Sequence, residues 1–273
     1  MGEFPPVLLR AGTAALFLLA VVVLPPLAVG TVLQLVTGHF RRRAVEVFGI
    51  RFCVWSTAPG VMLHECSHAL FCLIFRHRIT AFAPFSPQKN GNLGWVVHKW
   101  DSHSIWQNIG CFFIGVAPLA FGVAALVLLS LWLLPREALP FPDLPGNGLG
   151  AFRFQFRSTF VALWKMWVTP GFIQRGRTWI WIYGILAVGS QITLSRADLA
   201  GAKSGVFVLG VLLVLLALAG GFLLPPGSGL PPGLIRGSAA VCGLLFYLLL
   251  LFGVLTLLFE LSLLGNSGKG KRG

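Results

Sequence analysis

The sequence predicts an all-α polytopic membrane protein with about six transmembrane helices, a short β-hairpin and one interfacial amphipathic helix. Two observations predict this fold class. Of the 273 residues, 56% are hydrophobic and only 11% are charged, whereas soluble domains average about 25% charged residues. The apolar residues also form several runs of roughly 20 residues, the helix length that crosses a bilayer core. A soluble globular domain and a disordered chain are therefore both excluded.

The apolar runs divide a single integral membrane domain, residues 1–273, into six predicted spans. Most charged residues fall between these runs. The predicted spans cover about 11–37, 54–75, 109–134, 179–194, 206–224 and 239–264. We expect the first helix to be retained, with a cleaved signal peptide as the alternative, because its apolar run is long and its arginine cluster follows it.

The net charge of +13 predicts contact with lipid headgroups and no binding of nucleic acid. Apart from one cluster at 41–43, the basic residues are scattered over the polar connections, where they anchor membrane helices and contact anionic headgroups. We expect a multi-pass integral membrane protein, in the cell membrane if the source is bacterial, with the lipid bilayer as a partner. The basic residues divide almost equally between the two faces, so they predict no orientation.

Two connections have predicted structure of their own. Residues 80–100 contain two extended stretches around the segment 89–92 (Lys-Asn-Gly-Asn), and an Asn-Gly pair is a strong hairpin signal. In the stretch 151–167, three basic residues share one side at helical spacing; these are Arg153, Arg157 and Lys165. This pattern favours an interfacial amphipathic helix over a seventh span.

The second predicted span contains an H-E-x-x-H motif, residues 64–68. On a helix, His64 and His68 lie one turn apart on one face, so both imidazoles can bind one zinc ion. Glu65, rotated by about 100°, can act as general base on a zinc-bound water. Three ionisable groups are expensive to bury in a membrane helix, which favours a functional site over a polar cluster that merely holds helices together.

A catalytic zinc site takes three protein ligands, and the 8 acidic residues leave few candidates for the third. Cys72 lies on the same helix face as the two histidines, but it is about 9 Å along the helix axis from their midpoint. This distance is too long for Cys72 to bind the same ion. Asp198 is favoured, because it ends the fourth predicted span on a helical stripe with Gln191 and Ser195. Asp143, in a Pro- and Gly-rich loop, is the alternative ligand, and a purely interfacial charge is the alternative role of Asp198. Four further polar residues could approach the metal only through the hairpin: His77, His98, Asp101 and His103.

These motifs resemble the site-2 protease family of intramembrane zinc metalloproteases, and equally the related group of membrane zincin peptidases. The resemblance covers about residues 54–201 and rests on His64-Glu65-x-x-His68, the hairpin after it and the segment Asp198-Leu199-Ala200-Gly201. The family's usual Leu-Asp-Gly is absent here. The resemblance implies zinc-dependent hydrolysis of peptide bonds in membrane-anchored protein substrates. It also implies that the hairpin pairs with an unwound substrate.

The resulting hypothesis is a zinc metalloendopeptidase with Zn²⁺ held by His64, His68 and Asp198, and with Glu65 as the catalytic base. Pro118 is expected to bend the third span and expose backbone carbonyls near the site, with an ordinary kink as the alternative. Two other functions remain open, a catalytically silent membrane scaffold or chaperone and a membrane protein that binds zinc without hydrolysis. The retained Glu65 argues against the scaffold.

Overall fold

A computed structural model of the chain describes residues 20, 24–134, 149–195, 197–201, 210–211, 214–215 and 232–269. The described residues are mostly helical, with one two-stranded sheet. The helices are α1 Leu24–Phe48, α2 Ile50–Ser56, α3 Ala58–Ile74, α4 Ile105–Leu133, α5 Leu149–Lys165, α6 Gly176–Gly189 and α7 Pro232–Lys269. The strands are β1 Arg78–Ala83 and β2 Trp95–Lys99. A 3₁₀ turn, Met166–Val168, follows α5, and residues 197–201 form a short helical turn.

Helix α3, which carries the H-E-x-x-H motif, packs against α4 and α6. The approach to α6 requires a glycine at position 60, because a Cβ atom there would overlap the backbone carbonyl of Ala187. Helix α7 packs against α1 and α5. A shared core of buried side chains joins α1, α4, α6 and α7; it includes Leu33, Leu126, Trp181, Ile185 and Leu248. These contacts set the positions of the helices around the motif.

Two of the predicted spans are long apolar helices in the part of the chain that the structure describes. The segments Ile105–Leu133 of α4 and Ile235–Leu263 of α7 are each 29 residues long and apolar enough to cross a membrane. Helix α3 is also apolar but shorter, at 17 residues. The fifth predicted span, 206–224, lies outside the described residues except for 210–211 and 214–215.

The described part of the first predicted span belongs to a longer helix. Helix α1 continues beyond Thr37 to Phe48 and therefore includes the arginine cluster at 41–43. The charges are tolerated within the helix because they find partners there. The Arg43 guanidinium donates to Glu260 of α7 at 2.6 Å and to Glu46 at 2.7 Å.

The second predicted span, 54–75, is interrupted. Helix α2 ends at Ser56 and α3 begins at Ala58, with Thr57 as the junction. Pro59 explains the break, because proline lacks the N–H that would continue the hydrogen bonds of α2. The Thr57 hydroxyl donates to the carbonyl of Cys53 at 2.9 Å across the junction.

The fourth predicted span, 179–194, is also too long. Helix α6 ends at Gly189, and residues 190–195 are not helical. The apolar run continues because Ile192 and Leu194 are buried, at 1% and 0% exposure, as part of the core. Hydropathy alone does not distinguish a buried extended segment from a helix. The predicted helical stripe of Gln191, Ser195 and Asp198 is therefore wrong.

The predicted hairpin and amphipathic helix are both present. Strands β1 and β2 pair antiparallel, and the connection turns at Gly91, whose φ of +91° favours glycine. Helix α5 keeps its three basic side chains exposed and buries Gln155, Thr159 and Leu163. Its position at a membrane interface remains a prediction.

Candidate metal centre

Helix α3 brings the two histidines of the motif together. The Nε2 atoms of His64 and His68 lie 3.2 Å apart, as expected for residues one helical turn apart on one face. Their side chains are largely buried, at 14% and 10% exposure. Two imidazole nitrogens therefore converge on one point inside the protein.

Asp198 completes a triangle of donor atoms. Its Oδ1 lies 3.2 Å from His68 Nε2, and its Oδ2 lies 3.8 Å from His64 Nε2. Nitrogen and oxygen ligands about 2.0–2.1 Å from a tetrahedral zinc ion lie roughly 3.3–3.4 Å from one another. The two Asp198 distances end on different carboxylate oxygens, and both of them, like the distance between the two Nε2 atoms, are close to this spacing.

A capping box holds the Asp198 carboxylate in place. The Ser195 N–H donates to Asp198 Oδ2 at 2.7 Å, and the Asp198 N–H donates to Ser195 Oγ at 3.0 Å. This reciprocal pair is the arrangement that begins a helix, here the turn at 197–201. Ser195 is thus a neighbour of Asp198, as predicted, but through a helix cap instead of a helical stripe.

Two backbone carbonyls orient the imidazole rings. His64 Nδ1 lies 3.0 Å from the carbonyl oxygen of Gln191, and His68 Nδ1 lies 2.8 Å from that of Ile114. A carbonyl oxygen only accepts, so both Nδ1 atoms carry the proton. Both Nε2 atoms then present a lone pair to the triangle, which is the usual arrangement around a metal-binding histidine.

These two carbonyls are free because regular helix is interrupted beside each of them. Ile114 stands four residues before Pro118, which has no N–H to donate to it. Gln191 lies beyond the end of α6. The expectation that Pro118 exposes a carbonyl near the site therefore agrees with the structure, and the carbonyl receives the His68 ring.

Glu65 lies between the metal centre and the hairpin. Its half-buried carboxylate is close enough to interact electrostatically with His68 and Asp198. A Cβ atom added at Gly94, just before β2, would lie 2.8 Å from Glu65 Cγ. The hairpin backbone therefore packs directly on Glu65, and only glycine permits this approach.

A cavity of about 290 Å³ opens beside the donor triangle. His68 and Asp198 line it together with Val96, Val97 and His98 of β2. Ile114 of α4 also lines this cavity. Strand β2 and the candidate metal ligands thus line one common space.

A second cluster of possible metal-binding residues lies at the C-terminal end of α3. One donor atom from each of Cys72, His77 and His98 lies within 4.8 Å of the others. From the sequence, these three residues were candidates only for the first centre, and a second cluster was not predicted. The one indication in the sequence was the spacing of His64, His68 and Cys72 at intervals of four residues, which places Cys72 on the metal-binding face of the helix.

Of the other candidate ligands, His98 lines the cavity beside the first centre but belongs to the second cluster. Asp143 lies outside the described residues. Asp101 is exposed and its Oδ1 accepts from the backbone N–H of His103 at 2.9 Å.

Comparison of the chain with protein-family models, with curated proteins and with solved structures finds no match.

Proposed function

We propose that the protein is a multi-pass integral membrane zinc endopeptidase that hydrolyses peptide bonds of membrane-anchored protein substrates. One observation carries the proposal. In the buried donor triangle of His64, His68 and Asp198, the nearest donor atoms lie 3.2–3.8 Å apart, close to the ligand spacing of a tetrahedral zinc ion, and Glu65 lies near them. Three protein ligands leave a fourth position open, as catalytic zinc sites do.

The residues around the triangle suit peptide hydrolysis. Zinc bound there supplies Lewis-acid polarisation of a water molecule and of the scissile carbonyl. Glu65 accepts the proton of the attacking water and delivers it to the leaving amine. The carbonyls of Gln191 and Ile114 keep His64 and His68 in the tautomer that binds metal.

Strand β2 supports an extended substrate. Val96, Val97 and His98 face the same cavity as His68 and Asp198, so a peptide alongside β2 would pass the donor triangle. The cavity volume of about 290 Å³ falls at the small end of ligand pockets. It suits a short unwound segment, which a strand edge binds through main-chain hydrogen bonds.

The apolar surface supports a membrane location for this chemistry. Helix α4, which carries the His68 partner Ile114, exposes Leu128, Leu131 and Trp132 at 65%, 49% and 75%. Large apolar side chains with such exposure are expected to face lipid. We infer that the remaining predicted spans cross the bilayer as well.

Replacing Glu65 tests the proposal. Membrane fractions from cells that produce wild type or Glu65→Gln are compared for new N-termini by mass spectrometry. We expect cleavage of membrane-anchored proteins with wild type and none above background with Glu65→Gln, because the variant lacks the proton acceptor. Zinc content of the two purified proteins is expected to be equal, since Glu65 is not a ligand.

The matched control is Glu46→Gln, which removes an exposed glutamate of α1 outside the centre. This variant is expected to produce the same new N-termini as wild type. Equal cleavage by wild type and Glu65→Gln, at equal protein levels, would exclude the endopeptidase proposal.

A further inference from the structure

The end of α3 holds Cys72 and His77 next to each other through a helix cap. The His77 N–H donates to the Cys72 carbonyl at 2.8 Å, and the Arg76 N–H donates to the Leu73 carbonyl at 3.2 Å. These are the two hydrogen bonds of a Schellman motif. Its left-handed position, usually glycine, is Arg76 with φ +59°. The chain therefore turns back sharply and returns His77 to the turn that contains Cys72.

The hairpin brings a third donor to the same place. His98 of β2 pairs with Ile79 of β1, and its Nδ1 lies 3.0 Å from His77 Nδ1. The ring of Trp100 stacks on His77, with centroids 6.0 Å apart and planes inclined by 15°. Three separate elements, the end of α3, the segment before β1 and strand β2, thus contribute one donor each.

The hydrogen bonds set the tautomers of the two histidines. His77 Nε2 lies 2.8 Å from the Gln107 carbonyl oxygen, so Nε2 carries the proton and Nδ1 presents its lone pair to His98. His98 Nδ1 therefore carries the proton that it shares with His77 Nδ1, 3.0 Å away, and a metal ion bound there takes the place of that proton.

Two of the three donor residues are buried and His98 is half-buried, which limits competition from water. Cys72 is 0% and His77 is 4% exposed. A thiol that coordinates a metal loses its proton even in such surroundings. One thiolate and two imidazoles favour a borderline or soft ion such as zinc.

We infer that Cys72, His77 and His98 form a second metal site, which takes a zinc-type divalent ion and ties the hairpin to the end of α3. The donor atoms lie within 4.8 Å of one another. Tetrahedral zinc places nitrogen and sulfur ligands roughly 3.5 Å apart, so side-chain movements of about 1 Å complete the site. Because His98 lines the cavity beside His68 and Asp198, the ion also fixes one wall of the first centre.

Cobalt binding distinguishes the two sites by their chemistry. Purified protein in detergent, reduced and stripped by a chelator, is titrated with Co²⁺. A thiolate ligand produces a sulfur-to-cobalt charge-transfer band, whereas the donors at His64, His68 and Asp198 contain no sulfur. We expect two cobalt ions per chain and a charge-transfer band for wild type.

Variants assign the band. Cys72→Ser is expected to abolish the charge-transfer band and to reduce binding to one cobalt ion. His98→Asn is expected to lower the cobalt affinity of the site that produces the band at least tenfold. The control Cys66→Ser removes an exposed cysteine of the same helix and is expected to leave both ions and the band. His64→Ala is expected to remove one ion and leave the band, so the second site is tested independently of the proposed peptidase activity.

A wild-type protein without the band, or a band that persists in Cys72→Ser, would overturn the inference. X-ray absorption of zinc-loaded wild type provides a measurement that does not depend on the variants. A sulfur neighbour about 2.3 Å from zinc is expected. A zinc environment of nitrogen and oxygen alone would contradict the second site.

Discussion

Asp198 serves two purposes with one carboxylate. Its Oδ2 accepts from the Ser195 N–H at 2.7 Å, while its Oδ1 lies 3.2 Å from His68 Nε2. An ionised carboxylate has about four lone-pair positions, so the helix cap does not exhaust it. The cap instead holds the free oxygen where a metal can bind it, which reduces the conformational freedom lost on binding.

We expect Asp198→Asn to weaken zinc binding by more than 100-fold. The amide has nearly the same shape and can still accept from Ser195, but it lacks the charge that balances the metal. Loss of an outer-shell partner costs about 10–100-fold in affinity, and loss of a ligand should cost more. Competition with a chromophoric chelator measures the affinity.

The control for this change is Asp101→Asn, an exposed aspartate outside the donor triangle. Its zinc affinity should equal that of wild type. Full zinc occupancy in Asp198→Asn would remove Asp198 from the ligand set.

At the scale of helices and strands, interruptions of regular structure create the partners of the metal-binding residues. Pro118 leaves the Ile114 carbonyl without a helical donor, and His68 supplies one. The end of α6 at Gly189 leaves the Gln191 carbonyl to His64. In an uninterrupted helix each carbonyl would already accept from an N–H four residues ahead.

Pro118→Ala is expected to weaken zinc binding by about tenfold without lowering stability. Alanine restores an N–H that competes with His68 for the Ile114 carbonyl, so the ring is held less firmly. Proline within a helix costs about 3 kcal/mol, so the metal-free variant should unfold at the same temperature as wild type or higher. Zinc affinity and thermal unfolding, measured on the same samples, check both effects.

Leu128→Ala, at an exposed position of the same helix, is the control for Pro118→Ala. It should leave zinc affinity unchanged. Unaltered zinc affinity in Pro118→Ala would show that the proline affects the geometry of α4 but not the orientation of His68.

The hairpin depends on Gly94 for its contact with Glu65. A Cβ at this position would lie 2.8 Å from Glu65 Cγ and 2.9 Å from the carbonyl oxygens of Ala83 and Pro84. We expect Gly94→Ala to displace the hairpin and to reduce cleavage of membrane-anchored substrates at least tenfold, with zinc content unchanged. Mass spectrometry of new N-termini and metal analysis measure the two quantities.

Gly150→Ala is the matched control, because a Cβ there meets nothing within 4 Å. It should cleave substrates like wild type. Normal cleavage by Gly94→Ala would mean that Glu65 and the hairpin need not remain in contact.

At the scale of the whole molecule, the first metal centre joins parts of the chain that are far apart in sequence. Its donors come from α3 and from the turn at 197–201, and its supporting carbonyls come from α4 and the segment after α6. The shared core of α1, α4, α6 and α7 holds these elements in place. A bound metal would therefore add a crosslink to the helix packing.

Removal of metal should lower the stability of the folded protein. Ligand binding to the native state alone stabilises it by about 4 kcal/mol when the free ligand exceeds its Kd a thousandfold. Thermal unfolding in detergent, with saturating zinc and then with excess chelator, is expected to show a fall in Tm on chelation. The fall should be smaller in Asp198→Asn, which has lost one site, and identical Tm values in zinc and chelator would contradict a structural contribution of the metal.

Much of the local structure was predictable because its causes are local. The hairpin follows from the Asn-Gly pair, and the apolar helices α4 and α7 follow from their composition. Helix boundaries were less predictable. Helix α1 extends to Phe48, beyond the apolar run that ends near Thr37. The fourth span's end at Leu194 was misplaced, because core burial of Ile192 and Leu194 extends the apolar run beyond α6.

By itself, the sequence determined the convergence of His64 and His68, since four residues on a helix make one turn whatever surrounds it. Only the tertiary structure decided that Asp198 meets them, that the Pro118 interruption provides the acceptor for His68, and that Cys72 lies with His77 and His98. These contacts join residues as far as 134 positions apart, as between His64 and Asp198. Such proximity depends on how α3, α4 and α6 pack, which the helical periodicity of each segment does not specify.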